Sequence, residues 1–313
     1  MFEKYNTTLK SLDGIILNFN ESGLLMMNIA IAFIMFGVAL NLKTESFKNV
    51  IQSPKAIITG LFSQFFLLPS VTFLIIIFAD LPVSVSLGML LVASCPGGNI
   101  SNFITSLAKG NVALSVSLTA ISDVSSVVMT PLNFTIWGNL YLATLPLAHP
   151  IEIPFSQVVT TIVVLMGIPL TLGIAFNYRF PKTTKKIIFP IKILSIILFI
   201  GFVIGAIVAN IDNFIKYAII IIPIVILHNL IAFGLGFSIS SMLKLGRKNI
   251  KTITIETGIQ NLGIALVLIF NHNIFPPGYG GVAFITALWG VWHIVSGLTL
   301  SFLWSRNKSG IER

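Results

Sequence analysis

Nine stretches of the chain stay apolar for about twenty positions, at roughly 22–42, 56–79, 85–107, 112–136, 156–178, 187–211, 217–243, 252–273 and 281–305. About 20 such residues in a helix cross the hydrocarbon of a bilayer, so each stretch predicts a transmembrane helix. The third and the eighth are interrupted by polar, glycine-rich runs. Cys95-Pro96-Gly97-Gly98-Asn99-Ile100-Ser101-Asn102 breaks one, and Glu256-Thr257-Gly258-Ile259-Gln260-Asn261 breaks the other. Hydrocarbon offers no partners to backbone N–H and C=O groups, so a helix broken at that depth has to line protein or water. Matched breaks in the two halves of a chain point to the binding site of a transporter.

The first four stretches can be laid on the last four, leaving 156–178 over. The two breaks then fall at matching places, and the offset of five spans turns the second unit upside down relative to the first, the inverted-repeat plan of secondary transporters. The expected fold is therefore an all-α polytopic membrane protein of about nine helices, with two broken helices crossing at mid-membrane. Links between the stretches are short and no Ser/Pro-rich linker is visible, so residues 22–305 read as one transmembrane domain. An N-terminal segment, 1–21, precedes it and a tail, 306–313, follows it.

Composition agrees with this pattern. Of 313 residues 55% are hydrophobic and 9% charged, against about 25% charged in a soluble domain. The net charge of +9 sits in short clusters between apolar stretches. No basic helix with interleaved aromatics is present, which excludes a nucleic-acid partner. Fifteen of the 19 basic residues fall on one side of the predicted layout, from Lys43, Lys48 and Lys55 through Lys109, Arg179 and Lys251 to Arg306, Lys308 and Arg313. The positive-inside rule then puts the N-terminus outside the cell's inner (plasma) membrane and the C-terminus in the cytoplasm. Residues 1–21, with Glu3, Lys4, Lys10 and Asp13 around Ile15-Ile16-Leu17, are too polar for a signal peptide and read as an amphipathic lead-in lying at the interface. Cys95 is the single cysteine, which rules out an internal disulfide, and no Cys/His spacing suggests zinc.

Glu256 carries the most chemical information. A carboxylate at membrane depth costs about 2.5–3.5 kcal/mol or more without a partner. Ionised, it offers oxygens to a hard cation; protonated, it can relay a proton; and it can simply pair with a buried donor. Thr257, Gln260 and Asn261 beside it, Gln64 in the second stretch, and Ser101, Asn102, Ser115 and Thr119 supply neutral oxygens. Ser115 and Thr119, four apart, share one helix face. Such an inventory suits Na⁺. The half-helices that restart after each break present free N–H groups and a positive dipole end, which attract an anion. His228 reads as a structural donor between helices, and His149 and His272 as surface residues without a role.

The sequence around both breaks resembles the bile acid:sodium symporter family. Cys-Pro-Gly-Gly-Asn-Ile-Ser-Asn followed by Lys-Gly-Asn-Val-Ala-Leu-Ser-Val (109–116) is similar to its broken fourth helix and the start of the fifth. Thr-Ile-Glu-Thr-Gly-Ile-Gln-Asn-Leu-Gly (254–263) is similar to its broken ninth, and Leu227-His228-Asn229 and Trp292-His293 resemble bacterial members. The resemblance runs over essentially the whole chain. It implies a panel domain (about 22–42 and 156–211), a core domain (about 56–136 and 217–305) and two Na⁺ ions where the broken helices cross. The first ion would be held by Ser101, Asn102, Ser115, Thr119 and Glu256. The second would be held by Gln64, Gln260 and Glu256, with backbone oxygens of Glu256, Thr257 and Ile259. Asn99, Asn261 and His293 would border the substrate; His293 alone reads equally as a residue satisfied inside the bundle. Two positions depart from the family. Ile294 follows His293 where bacterial relatives often have Asn. Asp123, one turn beyond Thr119, stands where the family usually offers a hydroxyl. It can add negative charge near the first ion, carry a proton, or pair with a polar neighbour.

The function expected from all this is Na⁺-coupled symport of an organic anion, bile acid-like or a smaller carboxylate, by a monomer embedded in lipid and working by alternating access. The alternative is a proton-coupled transporter of organic anions using Asp123 or Glu256. An enzyme is disfavoured because there is no metal cluster or nucleophile–base pair, and a channel because no ring of repeated pore motifs is present.

Overall fold

A computed structural model describes residues 8–16, 21–40, 53–145, 153–269, 271, 274–275 and 278–306. The rest of the N-terminal segment, Lys43, Lys48, His149, His272 and tail residues 307–313, with Lys308 and Arg313, lie outside the described residues. Helix occupies every apolar range. In chain order these are α1 (Glu21–Leu40), α2 (Pro54–Phe78), α3 (Val83–Ser94), α4 (Ile100–Leu107), α5 (Val112–Ala143), α6 (Phe155–Arg179), α7 (Pro181–Ala209), α8 (Ile211–Met242), α9 (Arg247–Gly258), α10 (Leu262–Ile269) and α11 (Gly280–Arg306). The pairs α3/α4 and α9/α10 are the two interrupted stretches. Five helices, α2, α5, α6, α8 and α11, are long and apolar enough by length and composition to cross a membrane. The architecture is that of an all-α membrane protein.

Proline shapes two of these helices in the same way. α2 and α6 each contain a π turn, Ser63–Leu67 and Val163–Gly167, with Pro69 and Pro169 two residues beyond. A proline lacks the N–H and crowds the carbonyl four residues back, so the ladder widens ahead of it. Leu68 N–H then bonds Ser63 O, and Ile168 N–H bonds Val163 O, one residue further back than in an α-helix. In α2 this turn places Ser63 and Gln64 in the interior.

α1 packs against α6 and α7, while α8 packs on α9 and α11, and α11 also on α3 and α4. The two groups meet where α5 and α10 lie against α6. The core between them is apolar, with Met35, Leu90, Phe134, Met166, Leu268 and Trp289 buried in one cluster. A polar link runs from its Trp289. Trp289 Nε1 donates to His228 Nδ1 at 3.2 Å, and His228 Nε2 lies 2.9 Å from Thr72 Oγ1, which itself donates to Leu68 O at 2.7 Å. Indole N–H can only donate, so Nε2 carries the imidazole proton and gives it to Thr72. Three helices, α11, α8 and α2, are tied by that neutral ring, as expected of a structural histidine donating between helices.

Residues 8–16 do more than lie along the bundle. Leu9 and Leu12 are buried. Gly14 N–H donates to Gly278 O at 2.7 Å, Gly280 N–H to Ile15 O at 3.0 Å, and Ser11 Oγ is 2.9 Å from Tyr217 OH. Asp13 accepts from Val83 N–H at 2.9 Å and Ser84 N–H at 2.8 Å, which satisfies the open end of α3 with a charge matched to its dipole. Loss of a helix cap costs about 0.5–2 kcal/mol. Asp13→Ala is therefore expected to lower the thermal unfolding midpoint in detergent by a few degrees without altering the response to Na⁺.

Candidate ion and substrate site

The two breaks meet and pair. Cys95 is extended (φ −74°, ψ 155°), the conformation favoured ahead of a proline, and Ile259 is extended too (φ −119°, ψ 108°). Gly97 and Gln260 face each other as an antiparallel bridge. Gly98 N–H donates to Ile259 O and Asn261 N–H to Pro96 O, both at 2.8 Å. Each break thus satisfies backbone groups that the other leaves open, as groups removed from water require. Asn229 Nδ2 adds a bond to Gly258 O at 2.8 Å, and Asn229 Oδ1 accepts from Ser296 Oγ.

Glu256 lies at this crossing, 3% exposed. Its carboxylate accepts from Ser101 Oγ at 2.6 Å, Ser115 Oγ at 3.2 Å and Thr119 Oγ1 at 2.7 Å. Thr119 Oγ1 also lies 3.4 Å from Ser101 Oγ and from Asn102 Oδ1. All five side chains assigned to the first ion are therefore drawn into one cluster from α4, α5 and α9. A hydroxyl that donates to the carboxylate keeps lone pairs free, so such a cluster presents a charged oxygen and several neutral ones to a hard cation. Gly97 gives the carboxylate its room, since a Cβ there would sit 2.5 Å from Glu256 Oε1.

A second cluster lies on the other side of the crossing. Gln64 Nε2 donates to Gln260 Oε1 and to Cys95 O, both at 2.7 Å, and Gln260 Nε2 donates to Thr257 O at 2.8 Å. Gln64 Oε1 is buried without a hydrogen-bond partner. A lone oxygen beside freed carbonyls is a place a cation would satisfy. Gln64, Thr257 and Gln260 are thus together, whereas Ile259 O accepts from Gly98 N–H and the carboxylate of Glu256 is hydrogen-bonded by the hydroxyls of the first cluster. Ser63 was not among the expected residues; its hydroxyl takes the proton of Thr257 Oγ1 at 3.0 Å. Nothing in its local sequence marks it, because the π turn that turns it inward is set by Pro69 six residues on.

Of the three residues assigned to substrate, two stand at the restarts after the breaks and one in α11. Asn99, exposed, precedes α4, and Asn261, half-buried, precedes α10. His293 is buried in α11, with Nδ1 donating to Trp289 O at 2.9 Å, which leaves Nε2 as the acceptor of a neutral ring. Asp123, 1% exposed, accepts from Asn261 Nδ2 at 3.2 Å.

Comparison with known proteins places these clusters in context. Residues 28–217 match the sequence profile of the Sodium Bile acid symporter family. The chain is 32% identical to a Bacillus subtilis protein named "Uncharacterized sodium-dependent transporter YocS" over 90% of its own length and 83% of that protein's. It is 29% identical to a rice protein named "Probable sodium/metabolite cotransporter BASS2, chloroplastic" and 31% identical to the bovine "Sodium-dependent organic anion transporter". These matches cover 90% and 76% of the chain, but only 64% and 62% of the relatives. With its family profile matched over most of the length and a bacterial relative aligned almost end to end, the chain belongs to the Sodium Bile acid symporter family, a family of sodium-dependent membrane transporters rather than enzymes.

Proposed function

We propose that the chain is a secondary transporter that draws a small organic anion, bile acid-like or a smaller carboxylate, into the cell with two Na⁺ ions. The observation that carries this reading is the paired crossing of the two breaks around Glu256, with three hydroxyls on the carboxylate and an unpartnered Gln64 oxygen beside it. One ion takes Ser101, Asn102, Ser115, Thr119 and Glu256. The other takes Gln64, Gln260 and Glu256 with the carbonyls of Glu256, Thr257 and Ile259. The anion lies at the restarts of α4 and α10, bordered by Asn99, Asn261 and His293. Nine spans form an inverted repeat in the inner membrane, N-terminus outside and C-terminus in the cytoplasm, and the protein works as a monomer among lipids. α1, α6 and α7, which pack on one another, form the panel against which the remaining helices, the core, move to alternate access.

Sodium at the crossing offsets the charge of Glu256, so the anion binds more tightly once the ions are in place. Linkage makes that coupling reciprocal. The test is a thermal-shift screen of organic carboxylates with the purified protein in NaCl and in KCl, followed by uptake of the hits into proteoliposomes. Ligand stabilisation and concentrative uptake are expected only with Na⁺. Undiminished uptake when K⁺ or choline replaces Na⁺ overturns the assignment, and uptake driven by a pH gradient alone transfers coupling to protons.

A further inference from the structure

Asp123 has no part in the two ion clusters, yet it is the second buried carboxylate of this region. Its Oδ1 accepts from Asn261 Nδ2, while Oδ2 is buried with no hydrogen-bond partner among the described residues. Asn99 is close enough to interact with the same carboxylate, and Glu256 close enough to repel it. Among the described residues no Lys, Arg or His forms an ion pair with either acid; the ion pair seen is Lys10–Asp80, both side chains exposed. A buried carboxylate without a cation is costly, so Asp123 is satisfied either by taking up a proton or by a cation that the described residues do not supply.

Sodium is a poor match for that role. Glu256 is ringed by hydroxyl oxygens, whereas Asp123 accepts from the Asn261 amide on Oδ1 and has no hydrogen-bond partner on Oδ2 among the described residues. The nearest serines along α5 are turned onto their own helix, Ser122 Oγ donating to Thr119 O and Ser126 Oγ to Asp123 O. The charge count points the same way. Two Na⁺ ions against Glu256 alone leave one positive charge, which suits an anion; with Asp123 ionised the same site is neutral, which suits a zwitterion.

The surroundings on one side are apolar. Ile31, Met35, Ile162, Met166 and Ile264 close there on one another as a seam between α1, α6 and α10, with no room for a water molecule. Met166 Sδ touches Ser126 Oγ at 3.6 Å, one turn along α5 from Asp123. A Cβ on Gly263 would meet both Asn261 Oδ1 and Met35 Cε, each at 3.3 Å. The Asp123–Asn261 pair therefore lies beside this seam, near Met35 and Met166.

We propose that Asp123 takes the ammonium group of the transported molecule, so that the substrate is an organic acid bearing an amine. Its carboxylate lies at the restarts of α4 and α10. The assignment rests on the Na⁺-coupled reading above and narrows its substrate class.

The test compares matched pairs, aliphatic and aromatic carboxylic acids against their amino derivatives (hexanoate with 2-aminohexanoate and 6-aminohexanoate, 3-phenylpropanoate with phenylalanine), by thermal shift and binding in NaCl and KCl. A charge-assisted hydrogen bond is worth about tenfold or more in affinity. In Na⁺ the amino acids should bind better than their deaminated partners by about that factor, and Asp123→Thr should bring the ratio near one. If the variant does not fold, the wild-type ratios decide alone. Equal or reversed wild-type ratios overturn the proposal, as does a ratio that Asp123→Thr leaves unchanged. Na⁺ stabilisation with no response to either series overturns it too, and three Na⁺ per plain carboxylate would make Asp123 an ion ligand instead. In each of these cases a Na⁺ shift that Glu256→Gln removes shows that the coupling itself still stands; absence of that shift in the wild type is a failure of the parent reading.

Discussion

Glu256→Gln abolishes the stabilisation that Na⁺ gives the wild-type protein. A ligand at a hundred times its dissociation constant adds about 2.7 kcal/mol, which for a chain of this size corresponds to a rise of about 4 °C in the unfolding midpoint. The side chain is shared by both proposed ions, so the substitution removes the charge from each at once. It also disturbs the geometry around it. Three hydroxyls donate to the carboxylate oxygens, and the amide offers one oxygen where there were two and places N–H donors against hydroxyl donors. The quantity to measure is the difference between the midpoints in NaCl and KCl for each protein, since the absolute midpoint also reflects relief of the repulsion between Glu256 and Asp123. In proteoliposomes the same variant should lose Na⁺-driven uptake by roughly ten- to a hundredfold, the loss expected of a hydrogen bond to a charged group worth about 1.5–3 kcal/mol. A Na⁺ increment in Glu256→Gln equal to that of the wild type would remove this carboxylate from the ion sites.

The part of this arrangement that can be read along the chain is the part made by neighbours in sequence. Apolar runs placed helix in every expected range, and the breaks fall at Cys95–Asn99 and Ile259–Asn261 because Pro96 and the glycines act locally. The hydroxyls of Ser115 and Thr119 reach one carboxylate because a helix repeats every four residues. What could not be read depends on distant partners. Asp13 lies 70 residues from the helix it caps, so its stretch looked like an interfacial lead-in although Leu9 and Leu12 bury it against the bundle. Ser63 faces Thr257 only through a π turn. His293 lends its Nδ1 proton to its own helix, which no spacing announces. Asp123 was visible as a departure from the family pattern, but its unpartnered oxygen and the apolar seam beside it exist only once α1, α5, α6 and α10 are assembled.

Gly98→Ala should unlock the crossing itself. A Cβ at Gly98 would stand 2.8 Å from Gln260 O and 3.0 Å from Gln260 C, and neither backbone atom can swing aside. The methyl is accommodated only if the strands at the crossing separate, which strains the bonds from Gly98 N–H to Ile259 O and from Asn261 N–H to Pro96 O. With no water to replace them, each open pair costs several kcal/mol. Two other substitutions calibrate the result. At Gly97 the added carbon meets the end of the Glu256 side chain, which can rotate away; Gly97→Ala should therefore keep its fold and lose the Na⁺ increment. At Gly205, near the C-terminal end of α7, nothing lies within 4 Å, and alanine should be neutral or stabilise by up to about 1 kcal/mol. The expected order of midpoints in KCl is Gly205→Ala at or above wild type, Gly97→Ala near it, and Gly98→Ala lowest, with the Na⁺ increment surviving in Gly205→Ala alone. A Gly98→Ala protein that melts with the wild type and keeps its Na⁺ increment would mean that the two breaks do not press backbone against backbone, and the ion clusters built on that contact would have to be redrawn.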